Sequence, residues 1–287
     1  MRAATLLLVV GLTACSFADF NPATTEQAST TTTVTTAPTT AAPLEPEPAV
    51  AVGPCADESA PFTETGTIGS GGAARSDAAV IDSFDWVIHE DCERLRMSFS
   101  TPEGAPAVAT PIVGAELIRH VGVVRVEFAS GITEAAVVDH VIDTPLIDRV
   151  SVFSSVAGTL VADIHLAAPA FARILTEDSP AALVIDLVAG GPAYATRALR
   201  QPDMVVLGPD PAFAGYPITI SGYADSSSFE SLTGTLEAAD GSVVVGTSAV
   251  AENPGGWGGF AMVFPDGPSG ELTITLEDGP TLELTVP

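Results

Sequence analysis

Apolar and polar residues alternate in short runs through residues 53–192, the period of strands buried on one face. Leu95-Arg96-Met97-Ser98-Phe99 and Val124-Arg125-Val126-Glu127-Phe128 carry the pattern most cleanly. Residues 146–153, 160–166 and 183–188 extend the series, and Gly104-Ala105-Pro106, Gly131 and Ala168-Pro169 punctuate it. Few segments sustain a helical period; residues 134–140 and 169–175 could each give a short helix. Alternation resumes over residues 217–222, 232–237, 272–276 and 282–286, with turn sequences at Asp240-Gly241 and Glu277-Asp278-Gly279-Pro280. Seven short strands in about 85 residues fit an immunoglobulin-like sandwich. The pattern therefore predicts an all-β (mainly β) chain with two β-sandwich-like domains, residues 53–203 and 204–287. The boundary is placed in residues 193–203, which are poor in bulky apolar side chains and hold Arg197 and Arg200.

The first 52 residues follow neither pattern. Arg2 precedes the short apolar core Leu6-Leu7-Leu8-Val9-Val10, and small residues lead through Leu12-Thr13-Ala14 to Cys15. Such a stretch reads as a secretory signal of residues 1–14. Its end resembles the lipobox of bacterial lipoproteins, which implies diacylglyceryl modification of Cys15 and cleavage before it. Two or three acyl chains hold a membrane far better than one, so the chain is expected on the outer face of the cell membrane. Beyond Cys15, ten threonines fall between Thr24 and Thr40, followed by Ala-Pro-Leu-Glu-Pro-Glu-Pro. Residues 15–52 have almost nothing to bury and read as a lipidated, disordered tether reaching ~35 Å as a coil.

Charge narrows the partners. The chain holds 10 basic and 36 acidic residues, and residues 1–14 contain one arginine and no acid, so the rest carries a net of about −27. This balance disfavours nucleic acid and anionic lipid headgroups as partners. Every basic residue is arginine. With no lysine, the phosphate-binding loop with its lysine, the Schiff-base enzyme and the Ser-x-x-Lys acyl-enzyme are excluded. With Cys15 assigned to lipid, Cys55 and Cys92 form an even pair in an exported chain and are expected to be disulfide-linked.

Two resemblances bear on the identity of the domains. The segments Val123-Val124-Arg125-Val126-Glu127-Phe128, Phe171-Ala172-Arg173-Ile174 and Ser179-Pro180-Ala181-Ala182-Leu183-Val184-Ile185-Asp186-Leu187 resemble the AMIN-like domains of actinobacterial lipoproteins. AMIN domains proper are envelope-targeting sandwiches that bind peptidoglycan, but no single binding residue carries over. Residues 218–222, Leu236-Glu237-Ala238-Ala239-Asp240-Gly241, Gly255-Gly256-Trp257-Gly258-Gly259-Phe260 and Gly270-Glu271-Leu272-Thr273-Ile274 resemble, in that order, the Gmad2 domain. That domain is an immunoglobulin-like module of bacterial sporulation and germination proteins. It usually accompanies a GerMN domain, which is not evident in this chain. Together the resemblances imply a non-catalytic lipoprotein that binds cell-wall polymer or an envelope protein. The alternative is an accessory subunit of an envelope enzyme, sporulation or germination assembly, or transport complex.

Candidate chemistry is sparse. His89, His120, His140 and His165 show no His-x-x-x-His or His-Glu-x-x-His spacing. His89-Glu90-Asp91 beside Cys92 reads as an exposed polar turn, and His165, between Ile164 and Leu166, as part of a polar strand face. No Gly-x-Ser-x-Gly pentapeptide announces a nucleophile. Gly69-Ser70-Gly71-Gly72 lacks the strand–helix context of a dinucleotide site, and Ser226-Ser227-Ser228 reads as a solvated loop. Asp240, Asp266 and Asp278 stand beside glycine, so turns explain them without calcium. Trp257, among glycines, is expected to pack into its sandwich; exposed, its indole would stack on a sugar ring. No catalytic, cofactor or metal residue is assigned.

Overall fold

The computed structural model describes Cys55 and residues 60–129, 131–211, 215–253 and 256–286. The expected signal peptide, Cys15 and the tether to residue 52 lie outside the described residues. The first region contains β1 (Gly66–Gly71), β2 (Val80–Ile88), β3 (Glu93–Ser100), β4 (Val113–Ile118), β5 (Val123–Phe128), β6 (Glu134–Ala135), β7 (Asp139–Val141), β8 (Ile147–Ser154), β9 (Leu160–Leu166), β10 (Ala170–Glu177) and β11 (Ala182–Ala189). The second contains β12 (Leu199–Gln201), β13 (Met204–Leu207), β14 (Ile218–Asp225), β15 (Ser231–Ala238), β16 (Val243–Ala249), β17 (Trp257–Phe264), β18 (Gly270–Leu276) and β19 (Thr281–Val286). The fold is all-β, as the alternation predicts. The boundary expected at 203/204 falls in the turn between β12 and β13, which pair as a hairpin.

Three sheets build the two sandwiches. A five-stranded sheet in the order β10-β11-β3-β2-β6 forms one layer of the first, and a four-stranded sheet β16-β15-β18-β19 forms one layer of the second. Both pack against one ten-stranded sheet, β1-β4-β5-β9-β8-β17-β14-β13-β12, with β7 attached to β8. The two halves of that sheet join where β17 runs parallel to β8, pairing Trp257 with Phe153 and Gly258 with Ser154. One layer is therefore continuous across both sandwiches.

The cores follow from alternation. Leu95, Met97 and Phe99 of β3 turn inward to meet Val124, Val126 and Phe128 of β5. In the second sandwich Ile218 and Ile220 meet Leu272, Ile274 and Leu276. Strands with two covered faces look different: β13 is the unbroken apolar run Met204-Val205-Val206-Leu207, buried throughout.

The two possible short helices are strands. Residues 134–140 contain β6 and the start of β7, and residues 169–175 fall almost entirely in β10, which pairs with β11 from Ala170–Ala189 to Glu177–Ala182. Here period two prevails: Ala170, Ala172 and Ile174 join the core while Arg173 projects from the opposite face.

Candidate functional site

The densest set of titratable side chains lies where the second sandwich covers the outer face of the first. Cross-strand register places Arg125, Asp163, Ser151 and Asp139 in one row over β5, β9, β8 and β7. His165 lies two residues along β9, beside Arg149 of β8. From the other side β13 and β14 lay Val205, Leu207 and Tyr223 against Val123, Phe153 and Val161. The Tyr223 ring stacks on Phe153 at 4.2 Å between centroids and meets Trp257 edge-on at 5.7 Å.

Within this apolar frame the polar groups satisfy one another. Arg125 donates from Nε and Nη2 to the two oxygens of Asp163, both at 2.8 Å. Burial works against the Arg125 charge, but the adjoining carboxylate of Asp163 prevails and holds it more firmly protonated than a free arginine. The Tyr223 hydroxyl lies 2.5 Å from His165 Nε2 and also bonds the Ser151 side chain. Burial, with Arg200, Arg149 and Arg125 nearby, pushes the His165 imidazole down to about 3, so it stays neutral; burial raises Tyr223. Arg149 donates to Asp139 at 2.5 Å, with Arg200 of the second sandwich 4.0 Å from the same carboxylate. Histidine, serine and aspartate thus converge, as a hydrolytic site requires, yet relative exposures of 6, 2 and 0 % for His165, Ser151 and Asp163 seal them from any substrate.

His165 departs from the sequence expectation. It does point away from its own core, but Val205, Leu207 and Tyr223 cover that face, so it is buried rather than solvated. Trp257 departs as well: its indole packs at the junction beside Tyr223, not inside its own sandwich. His120, on a 3-10 turn over Arg119–Val121, spans the same seam. A carbonyl can only accept, so His120 Nε2–H donates to Gly208 O at 3.0 Å, while Nδ1 lies 3.8 Å from Asp210.

A second buried network organises the amino-terminal end. Cys55 and Cys92 are disulfide-bonded, with Cα atoms 6.4 Å apart. Asp186 receives Arg94 at 2.6 and 2.8 Å on one side and Arg173 at 2.8 and 3.0 Å on the other. Arg173 also donates to the carbonyls of Ala60 and Cys55 and stacks over the Phe62 ring at 4.5 Å. The network therefore pins the segment that the disulfide anchors. Its signal in the sequence was Asp186 and Arg173, the lone charges in the apolar runs 183–188 and 170–175, which need partners when buried; Arg94, in the alternating strand β3, gave no such signal.

The remaining candidates serve turns and packing. His89 sits in the β2–β3 turn, its N–H donating to Cys92 O at 2.8 Å, and Glu90 and Asp91 are exposed. His140 of β7 packs its ring 5.3 Å from Trp86. Asp225 accepts from Ser227 N–H and Oγ and from Ser228 Oγ, which ties down the serine loop and lowers the Asp225 pKa. Asp240 accepts Ser242 N–H in the β15–β16 turn, where Gly241 adopts φ +84°. Asp278 turns the chain between β18 and β19 with φ 55°. Gly69, Ser70 and Gly71 lie in the edge strand β1. Among the described residues no group of three His, Cys, Asp or Glu side chains is placed to hold a metal ion. No family model, curated protein or solved structure matches the chain.

Proposed function

We propose that this chain is a non-catalytic envelope lipoprotein, anchored through acylated Cys15 and holding a two-sandwich binding unit off the membrane on its threonine-rich tether. The resemblance of residues 53–203 to AMIN-like domains supports cell-wall polymer as a ligand class for the first sandwich. The Gmad2-like pattern of the second supports a protein partner. The observation that carries the binding reading is the sealed junction: the one convergence of histidine, serine and aspartate among the described residues is used to fuse the sandwiches, with His165, Ser151 and Asp163 all buried. Ligands must then be met by the outward faces and strand edges of the joined sandwiches.

The accessory-subunit alternative draws on a further feature, the edge of β19 in the second sandwich, which no strand among the described residues pairs. The test is co-sedimentation of the full chain with purified peptidoglycan, beside membrane fractionation of wild type and Cys15→Ser. Retention on the polymer and release of the variant from membranes are expected, with acyl mass on Cys15 of the wild type. Peptidoglycan hydrolysis abolished by replacing one histidine or serine would overturn the proposal.

A further inference from the structure

We infer that the free edge of β19 is a strand-addition site for an extended, basic segment of a partner protein, one whose apolar and positively charged side chains alternate. The inference rests on the reading of the chain as a binding module.

Ladder geometry defines the edge. Leu276 N–H donates to Pro280 O, so even-numbered residues of β18 and β19 face each other across their shared ladder. Glu277 N–H donates to Thr233 O, which turns the odd-numbered residues of β18 toward β15. By the same alternation Thr281, Glu283 and Thr285 of β19 present their N–H and C=O groups outward, where, among the described residues, the sheet has no further strand. The other edges are less available. β16 lies against β17, Ala261 N–H reaching Ser248 Oγ at 3.1 Å; β6 and β12 have two and three residues; β1 and β10 lean on one another, Gly69 against Ile174.

The two faces beside the edge specify the occupant. A groove of about 430 Å³ runs along residues 281–285, with Leu199, Leu282 and Leu284 supplying its apolar wall. On the opposite face Glu283 stands exposed in one row with Glu237, and Glu271 lies beside Thr285 in the next. A strand added to β19 would alternate its side chains between these surfaces, apolar into the groove and cationic over the glutamates. Charge complementarity extends past these residues: positions 201–287 hold twelve Asp and Glu and no Lys, Arg or His. Main-chain pairing supplies affinity in such complexes, and alternate side chains supply specificity.

The test measures fluorescence anisotropy of labelled octapeptides with the full chain, and amide exchange of β19. Saturable binding of an alternating Val/Arg octapeptide is expected, with slowed exchange at Thr281, Glu283 and Thr285. The same peptide N-methylated at alternate edge-facing positions, and a block peptide of four Val then four Arg, should each bind about tenfold more weakly. Glu283→Arg should weaken the alternating peptide without moving the melting temperature. Equal binding of the block or N-methylated peptide would reduce the effect to general attraction by an acidic surface and overturn the inference. So would absence of binding at millimolar peptide. Peptidoglycan retention in the same preparation tests the binding-module reading separately, because no strand pairing enters it.

Discussion

Among the described residues of the first sandwich nine polar or charged side chains are buried, Glu93, Arg94, Asp163, Arg173 and Asp186 among them, and a disulfide joins Cys55 to Cys92. In the second the buried residues are apolar, apart from the Tyr223 hydroxyl turned toward the first. Every histidine and arginine of the chain lies at or before residue 200. The difference separates two ways of specifying a sandwich. Directional pairs and a covalent link position the first, and an incorrect register would leave charges buried without partners. The second, without such pairs, relies on close contact: a Cβ at Gly258 would lie 1.8 Å from Ala251 O, and one at Gly222 would lie 2.1 Å from Val205 O, whereas in the first the like approach of Gly72 to Pro111 O, 1.9 Å, is added to the pairs. The first should fail when chemistry is removed, the second when volume is added.

The largest expected effect follows from Asp186→Ala, which leaves Arg94 and Arg173 buried around a missing carboxylate. Destabilisation of ~3–5 kcal/mol is expected in urea unfolding. Replacing all three residues together with apolar side chains of matched volume should recover most of that loss. If the single change proves neutral, the first sandwich is not held by its pairs. Cys55→Ser with Cys92→Ser should cost ~3–4 kcal/mol, and reduction of the wild type should reproduce it. Gly258→Ala adds one methyl where the facing backbone leaves no room, and ~2–3 kcal/mol is expected from strand displacement. A neutral result would remove close approach as the principle of the second sandwich.

Tyr223→Phe tests the seam itself. It deprives His165 Nε2 of its partner in a buried site, so ~1–2 kcal/mol should be lost, along with coincident unfolding of the two sandwiches. Two resolved transitions in the variant and one in the wild type would locate their coupling there. Near neutrality the smallest effect is in pH. The folded state holds His165 neutral down to about 3, whereas the unfolded chain takes up the proton near its ordinary value. Falling pH therefore favours unfolding, by about 0.7 kcal/mol from pH 7 to 6 for this group and by ~1.4 kcal/mol per unit below that until about pH 3. His165→Gln should flatten the slope, measured as urea midpoints across pH 4–7.

Alternation made the strands readable, and the turn pairs Asp240-Gly241 and Asp278-Gly279 placed two hairpins. Alternation assigns a side chain to a face, but what covers that face is a tertiary fact. His165 and Asp163 share the polar face of β9 and are nevertheless sealed by β13 and β14. A clue lay elsewhere, in Met204-Val205-Val206-Leu207, whose unbroken apolarity implies a strand covered on both sides. The strand at 169–175 was hard to read because alanines fill two of its inward positions and the apolar Phe171 and Leu175 flank Arg173 on its outward face, so polarity does not alternate. The free edge of β19 left no trace in local pattern, since paired and unpaired strands alternate alike.

The Cys55–Cys92 bridge also determines how the folded body bears mechanical load. Tension arriving from the amino-terminal side would otherwise load the contacts of Ala60, Phe62 and Thr63 and then β1, an edge strand that can be peeled away one residue at a time. The bridge diverts that pull to Cys92, at the threshold of β3, which β2 and β11 hold on either side. Such a strand must break both ladders in shear before it moves. A membrane tether attached at this end would pull on the central strand of the five-stranded sheet and leave β1 slack.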